Sequence, residues 1–406
     1  MAVAAAAVEV GEAETTKAVS GSGPGDGVLY AVSVTTGLCQ FEDWCYGGMV
    51  WSLRRFPLTK AVPLAISRGT TARVEHLELS FTSNGITGRG EAGGLDTGHR
   101  SYAVDGIEAE LRALLPSLGA VDPLNRQALS PLLASLSPPA SCAVDLALWD
   151  WWGQRLGQPL WRLWGLDGAR RVATSVTLGL GSVDMVLARL TRWWEQLPAT
   201  RIKLKLGSPD GLDHDRRLLM AVADALAQRQ QQAQQALELQ VDANGGWTVD
   251  QAREMVVDLM RADVVLLEQP LNAHLDPEHD TAGFAALAPD CPLPLVADES
   301  CWDLGDLLRL APYVDGVNLK LLKTGGLSEA LLMAQVAQRL GLDLMVGCYS
   351  DSSLLNTAAA QLLPLICWPD LDSHLNLVDD PFRGVGLEGD RLVLSVIGGL
   401  GVSANE

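Results

Sequence analysis

"RIKLKLG", residues 201–207, decides how this chain is to be read. Side chains alternate faces along a β-strand, so Ile202, Leu204 and Leu206 share one face and Lys203 and Lys205 the other. On a solvated edge strand the two lysines simply face water. On a strand buried from both sides they bring two ammonium groups into the interior, which is costly unless something compensates them. The choice rests on what surrounds the stretch.

From about residue 172 onward, short apolar runs alternate with helical patterns. The runs are "TSVTLG", "RIKLKLG", "LELQVDANGG", "VVLLEQP", "PLVADES", "GVNLKLLK", "LDLMVGCYS" and a short last one before "PDLD". Helical patterns such as 211–236 and 326–340 separate them, and the Gln-rich "QRQQQAQQA" reads as a solvated helix face. Eight such signals predict parallel βαβ units closing into a (β/α) barrel.

The part before the barrel is different. Residues 51–95 read as strands, with an Asn-Gly turn inside "ARVEHLELSFTSNGITGRGEA" marking a hairpin. Residues 102–165 read as helices, and "SPPASCAVDLALWDWWGQRLG" starts on a Ser/Pro signal and runs to Gly157. The expected division is an α+β domain over 49–165, completed by about 380–406, and a barrel over 166–379. "GVGLEGDRLVL" is expected to form a last hairpin returning to the first domain. Residues 1–48, with an Ala run and "SGSGPGDG", read as a disordered or mis-annotated extension, with Met49 as an alternative start.

The 406 residues are 48% hydrophobic and carry a net charge of −19, which suits a globular chain and argues against nucleic acid or anionic membrane partners. Seven irregularly spaced cysteines without a CxxC argue against a disulfide framework or structural zinc and suit a reducing, cytoplasmic setting. No apolar run is long enough to span a bilayer, and the acidic N-terminus does not read as a secretory signal.

The charged residues now fall at the ends of barrel strands. Lys203 and Lys205 end the second, Asp242 the third, Glu268 the fourth and Asp298 the fifth; Lys320 lies in the sixth, and Asp370 and Asp372 follow the eighth. The C-terminal strand ends of such a barrel share one mouth, where active sites sit. Three carboxylates on adjacent strands repel one another unless a cation neutralises them, and an all-oxygen set favours Mg²⁺ or Mn²⁺. Helix caps or lysine pairs would be the plain alternative for any one acid. Lys320 approaches from the side opposite Lys203 and Lys205, so one lysine of that pair and Lys320 could take a proton from one face of a carbon and return it on the other. A neighbouring ammonium and a divalent cation would both lower a lysine toward the range of a base. Lys323, out of phase with Lys320, is expected to be structural.

These stretches resemble the enolase superfamily in its muconate-lactonizing branch. "KLK" at 203–205, "VDANGGW" at 241–247, "LEQPL" at 267–271, "ADES" at 297–300 and "VNLKLLKTGG" at 317–326 carry the resemblance, with "ITGRGEA" at 86–92 and "AVDLALWDWWGQRLGQPL" at 143–160 in the first domain. The resemblance implies a modified (β/α)₇β barrel under an α+β capping domain. It implies Mg²⁺ held by Asp242, Glu268 and Asp298, stabilising the enolate formed when an α-proton leaves. Lys205 and Lys320 match the two acid/base residues, and Lys203 the residue that binds the anionic oxygen and tunes its neighbour. Asn244 and Glu299 match supporting positions, and symmetric oligomers are frequent in the family.

Within the branch, "PDLD" at 369–372 is similar to the Asp-x-Asp pair of dipeptide epimerases. Two carboxylates at i and i+2 on an extended segment face the same way and suit an α-ammonium group, which implies a dipeptide substrate. Alternatively, Asp372 caps a helix at "DSHLNLV". Arg68, in a cap loop, and Asp351 or Ser352, after the seventh strand, are candidates for the substrate side chain, with an Ala-Glu type dipeptide as the default. Competing readings on the same core are N-acylamino acid racemase, o-succinylbenzoate synthase and muconate cycloisomerase. A non-enzymatic barrel that binds a partner through structural salt bridges is the remaining one.

Overall fold

The computed structural model describes residues 30–36, 39–46 and 48–405. No helix among them is long and apolar enough to cross a membrane.

The N-terminal domain is an antiparallel sheet of β1 (Tyr30–Thr36), β2 (Cys39–Tyr46), β3 (Met49–Ile66), β4 (Gly69–Ser83) and β5 (Ile86–Gly93), paired in that order. Asn84 and Gly85 both take positive φ, 53° and 75°, as a two-residue hairpin turn requires. Helices α1 (Val104–Leu118), α2 (Arg126–Leu133) and α3 (Pro138–Leu156) follow, and α3 ends on left-handed Gly157 as its sequence predicts. Helix α3 lies directly on β5. A Cβ on Gly88 or Gly90 would come within 2.1 Å of the Ala147 carbonyl or 1.9 Å of the Ala143 carbonyl. The glycines of "ITGRGEA" are therefore what lets the helix sit there.

Two expectations change. Residues 30–46 fall inside the segment read as unstructured, yet β1 and β2 extend the sheet through an antiparallel ladder on β3. Their weak periodicity hid them, because an added outer strand draws on its neighbour's ladder. The expectation for residues 1–29 lies outside the described residues. At the other end, the hairpin Gly386–Glu388/Arg391–Val393 pairs with Val172–Ala173, at the entry to the barrel, instead of with the capping sheet. The chain meets the cap on both sides of this hairpin: Val378 N donates to the Thr59 carbonyl at 3.0 Å before it, and Leu400 N to Asp150 Oδ1 at 2.8 Å after it.

The barrel contains all eight expected strands: Ser175–Leu178, Arg201–Lys205, Glu238–Asp242, Val264–Glu268, Leu295–Ala297, Gly316–Leu319, Asp343–Gly347 and Trp368–Asp370. They are parallel and ordered as in the chain. No backbone ladder joins the first to the eighth. Side chains bridge them: Ser175 Oγ donates to Asp370 Oδ1 at 2.5 Å, Leu371 N to Thr174 Oγ1 at 2.9 Å and Thr177 N to Asp372 Oδ2 at 2.7 Å. The seam of the barrel is thus held by the two acids of "PDLD". Helices Leu212–Ala233 and Leu327–Leu340 occupy two of the predicted spans, and the Gln-rich end of the first is exposed. Ile202, Leu204 and Leu206 are fully buried in the main core, each contributing about 2 kcal/mol.

Candidate active site

Lys203 is 1% exposed and Lys205 7%, so "RIKLKLG" is an interior strand, not an edge. Strand periodicity aims both lysines at the barrel mouth, and each meets carboxylates there. Lys205 Nζ donates to Asp242 Oδ2 at 2.5 Å. Lys203 Nζ lies 2.7 Å from Asp370 Oδ2 and 3.2 Å from Asp242 Oδ2. It is also 2.6 Å from Glu268 Oε2, off the hydrogen-bonding direction. On the far wall Lys320 Nζ donates to Asp298 Oδ2 at 2.6 Å, and Lys323 Nζ to Asp298 Oδ1 at 2.6 Å and to the Asn318 carbonyl at 3.1 Å. Lys323 therefore braces Asp298 from behind, as a structural residue. Four lysines and four carboxylates share one buried cluster.

Asp242, Glu268 and Asp298 offer oxygens that all lie within 4.8 Å of one another, and the three residues are fully buried. Separations of that size fit one octahedral ion with oxygens at about 2.1 Å. Buried oxygens without a hydrogen-bond partner lie beside the trio, on Asn244 (Oδ1), Glu299 (Oε2) and Asn318 (Oδ1), and Glu268 Oε2 has only the ion pair with Lys203. An oxygen-only donor set with orphaned acceptors is chemistry that fits a hard divalent cation.

The residues after the strands fix this geometry. Asn244 and Gln269, two and one positions beyond Asp242 and Glu268, take left-handed backbone with φ of 44° and 35°. Asn244 N donates to Asp242 Oδ1 at 2.8 Å, and Asn244 Nδ2 to Glu299 Oε1 at 3.3 Å. Gln269 Oε1 accepts from Asp298 N at 2.9 Å, while Gln269 Nε2 donates to Ser300 Oγ at 2.9 Å. Asn318 Nδ2 orients Glu268 through Oε1 at 2.8 Å. Gln269 and Asn318 were not singled out from the sequence. Asn318 carried a signal, since it sits two residues before Lys320 on the same strand face.

Burial opposes ionisation throughout, and the partners decide the outcome. Lys205 and Lys203 outweigh burial at Asp242 and hold it at about 2. At Glu268 burial and the Asp242 charge win, pushing it up to about 8. Burial alone would lower Lys203, but Asp370, Glu268 and Asp242 raise it well above the usual lysine value; Asp298 does the same for Lys320. Carboxylates lie closer to Lys203 and Lys320 than other cations do, so both are raised.

Lys205 and Lys320 open onto one cavity of about 320 Å³, also lined by Arg68, Asn244, Glu299, Cys348, Tyr349 and Ser350. Their strands lie four apart in an eight-stranded barrel, so they face each other across it. Arg68, on the β3–β4 turn, reaches over the mouth and donates to Glu299 Oε1 at 2.9 Å and to the Asn244 carbonyl at 3.1 Å. Tyr349, also unforeseen, has its ring 4.5 Å from Lys320 Nζ and a hydroxyl without a partner.

Asp372 does not cap a helix: it precedes the short turn Ser373–Asn376 but makes no capping bond with its side chain, which turns to Thr177. Asp351 and Ser352 are corrected as pocket candidates. Ser352 is fully buried, bonded to Glu91 of the cap, and caps helix Ser353–Ala360 through Leu354 N at 3.0 Å. Asp351 is 4% exposed and turns back to Tyr349 N at 3.1 Å. The residues just before them, Cys348–Ser350, line the cavity instead, because the strand's exit turn points the later side chains at the cap. Cys45, Cys142, Cys291, Cys301, Cys348 and Cys367 are all free.

Comparison with known proteins agrees with this geometry. Residues 52–165 match the N-terminal domain of the mandelate racemase/muconate lactonizing enzyme family, and residues 185–393 match the enolase C-terminal domain-like family. A hydrophobic dipeptide epimerase of Roseobacter litoralis is 38% identical over 334 residues, 82% of this chain and 92% of that protein. An L-Ala-D/L-Glu epimerase of Bacteroides thetaiotaomicron is 31% identical, covering 83% of this chain and 82% of that one. The solved dipeptide epimerase of Enterococcus faecalis V583, complexed with Mg and L-Leu-L-Tyr, superposes with a TM-score of 0.77 at 27% identity, over 87% of this chain and 98% of that one. From its strand order, its acid-ended strands and these matches, the chain belongs to the enolase superfamily, in the mandelate racemase/muconate lactonizing enzyme family.

Proposed function

We propose that the protein is a Mg²⁺-dependent dipeptide epimerase that inverts the α-carbon of the C-terminal residue of an L,L-dipeptide. The observation that carries this reading is the pairing of Lys205 and Lys320 on facing walls of one cavity above Asp242, Glu268 and Asp298. The relatives named as dipeptide epimerases support it.

In this reading Asp242, Glu268 and Asp298 hold the ion. Bound there, Mg²⁺ supplies positive charge to the substrate oxygen that turns anionic, and it engages the carboxylates that otherwise raise Lys203 and Lys320. One lysine of the Lys205/Lys320 pair accepts the α-proton, and the other donates a proton to the opposite face. Atoms balance, and only configuration changes. Lys203, shut from solvent and unable to reach bulk water, holds the charged oxygen and does not exchange protons. Asp370 is already engaged by Lys203 and Ser175, so Asp372 takes the larger share of the substrate ammonium. Arg68 closes the mouth and excludes water from the carbanion-like carbon.

A dipeptide library incubated in D₂O with Mg²⁺ and read by mass spectrometry tests the reading, since epimerisation replaces the α-hydrogen with deuterium. Exchange in L,L-dipeptides is expected. Exchange confined to N-acyl amino acids would show that Asp370 and Asp372 do not meet an ammonium.

A further inference from the structure

Next to the cavity of Lys205 and Lys320 lies a smaller one of about 100 Å³, reached past Tyr349 and walled by Thr177, Asp372, Lys60 and Arg189. Lys60 comes from β3 of the cap and is 7% exposed. Arg189 comes from helix Val183–Gln196, its guanidinium 4.0 Å from the Trp193 ring centroid. Neither forms an ion pair with a described residue, and Arg189 Nη1 is buried without a hydrogen-bond partner. Asp372 is the carboxylate that acts on both through space.

We propose that this cavity is the subsite for the amino-terminal side chain and that Lys60 and Arg189 select an anionic one, so that the preferred substrates are dipeptides beginning with aspartate or glutamate. The proposal rests on the dipeptide reading. Once a substrate ammonium sits on Asp372, that carboxylate is matched; buried Lys60 then keeps only Asp351 as a carboxylate acting through space, and half-buried Arg189 keeps none. Burial already holds Arg189 at about 10 and pulls Lys60 below its usual value, so both gain from an added anion. A side-chain carboxylate on the first residue starts from the same carbon as the ammonium and reaches the neighbouring wall. The cavity is small enough for a short side chain and, with Met185 and Val186, apolar enough along one side to pack its methylenes. A large apolar side chain would instead seal two unpaired cations away from water.

The test compares kcat/KM for L-Glu-L-X, L-Asp-L-X, L-Gln-L-X, L-Leu-L-X and N-succinyl-L-X over a panel of C-terminal residues X. L-Glu is expected to exceed its neutral isostere L-Gln by about tenfold or more, the usual gain of charge-assisted hydrogen bonds. Lys60→Met and Arg189→Met should each bring the Glu/Gln ratio toward one. The ratio is internal to each preparation, so a loss of folded protein cancels. Dipeptides turned over with L-Gln or L-Leu as good as L-Glu overturn this subsite and leave the dipeptide function standing, as does a ratio unmoved in both variants. Turnover of N-succinyl-L-X alone, or of no substrate in the panel, overturns the dipeptide function and this proposal with it.

Discussion

The barrel mouth and the cavity beside Asp372 both bury cations, but on opposite terms. In the mouth Lys203, Lys205, Lys320 and Lys323 each touch a carboxylate at 2.7 Å or closer. Beside Asp372, Lys60 and Arg189 touch none, and His374 Nδ1, on the same loop as Asp372, is buried without a partner. On the proposed reading, the chemistry is assembled before substrate arrives, whereas recognition is left open for the substrate to complete. Preorganised charge serves catalysis because it needs no rearrangement during reaction. Unmet charge serves selectivity because only the matching ligand satisfies it.

The largest effect should come from breaking the mouth. Lys205→Ala and Lys320→Ala are each expected to lower net epimerisation by about 10³-fold, the middle of the range for general acid–base groups. Chiral chromatography reads the loss, and deuterium exchange of one stereoisomer should survive in each. Full activity in both would end the two-lysine mechanism.

Lys323→Met asks whether the satisfied pairs also hold the fold. The substitution leaves Asp298 with Lys320 as its remaining cation and strips the buried bond from Oδ1, at a cost of about 3 kcal/mol in urea unfolding. A wild-type midpoint would mean that Lys320 alone suffices for Asp298.

Metal addition should add to the mouth and leave the neighbouring cavity untouched. At a hundredfold excess over Kd, Mg²⁺ is expected to stabilise the native state by about 2.7 kcal/mol, read as a thermal shift. Asp242→Asn should remove the shift. A shift that persists would place the ion elsewhere.

The smallest effect belongs to His374, which burial holds at about 4 against an ordinary 6.5. Above pH 6.5 the ring is neutral in both states, and its contribution is complete. As pH falls from 6.5 to 4 the unfolded chain takes up a proton that the folded one refuses, so stability drops. At about 1.4 kcal/mol per pH unit, and discounted because the ring keeps some contact with water, the loss is about 2 kcal/mol. Wild type should lose this much relative to His374→Leu between pH 7 and 4 by denaturant unfolding. Parallel curves would show that the ring protonates freely.

Legibility followed the same division. The strand-end acids and lysines could be read because each strand carries its own alternation, and Asn318 could have been read the same way. Lys60 and Arg189 gave no signal: one sits in a cap strand, the other on an amphipathic helix, and neither local pattern separates them from solvated charges. Asp351 and Ser352 misled because the exit turn of the seventh strand, not the strand's period, sets where they point.

By itself, then, the sequence determined the eight strands, the cap of hairpin and helices, and the residues that end each strand, since periodicity, turns and caps are local properties. Only the tertiary structure decided which charges meet. Lys203 finds Asp370 because the eighth strand closes beside the first, and the two acids of "PDLD" hold that seam as well as facing the site. Lys60, Arg189 and Asp372 share a cavity because the cap lays β3 over the barrel's first helix. Contacts between residues more than a hundred positions apart are set by packing, and no local period encodes them.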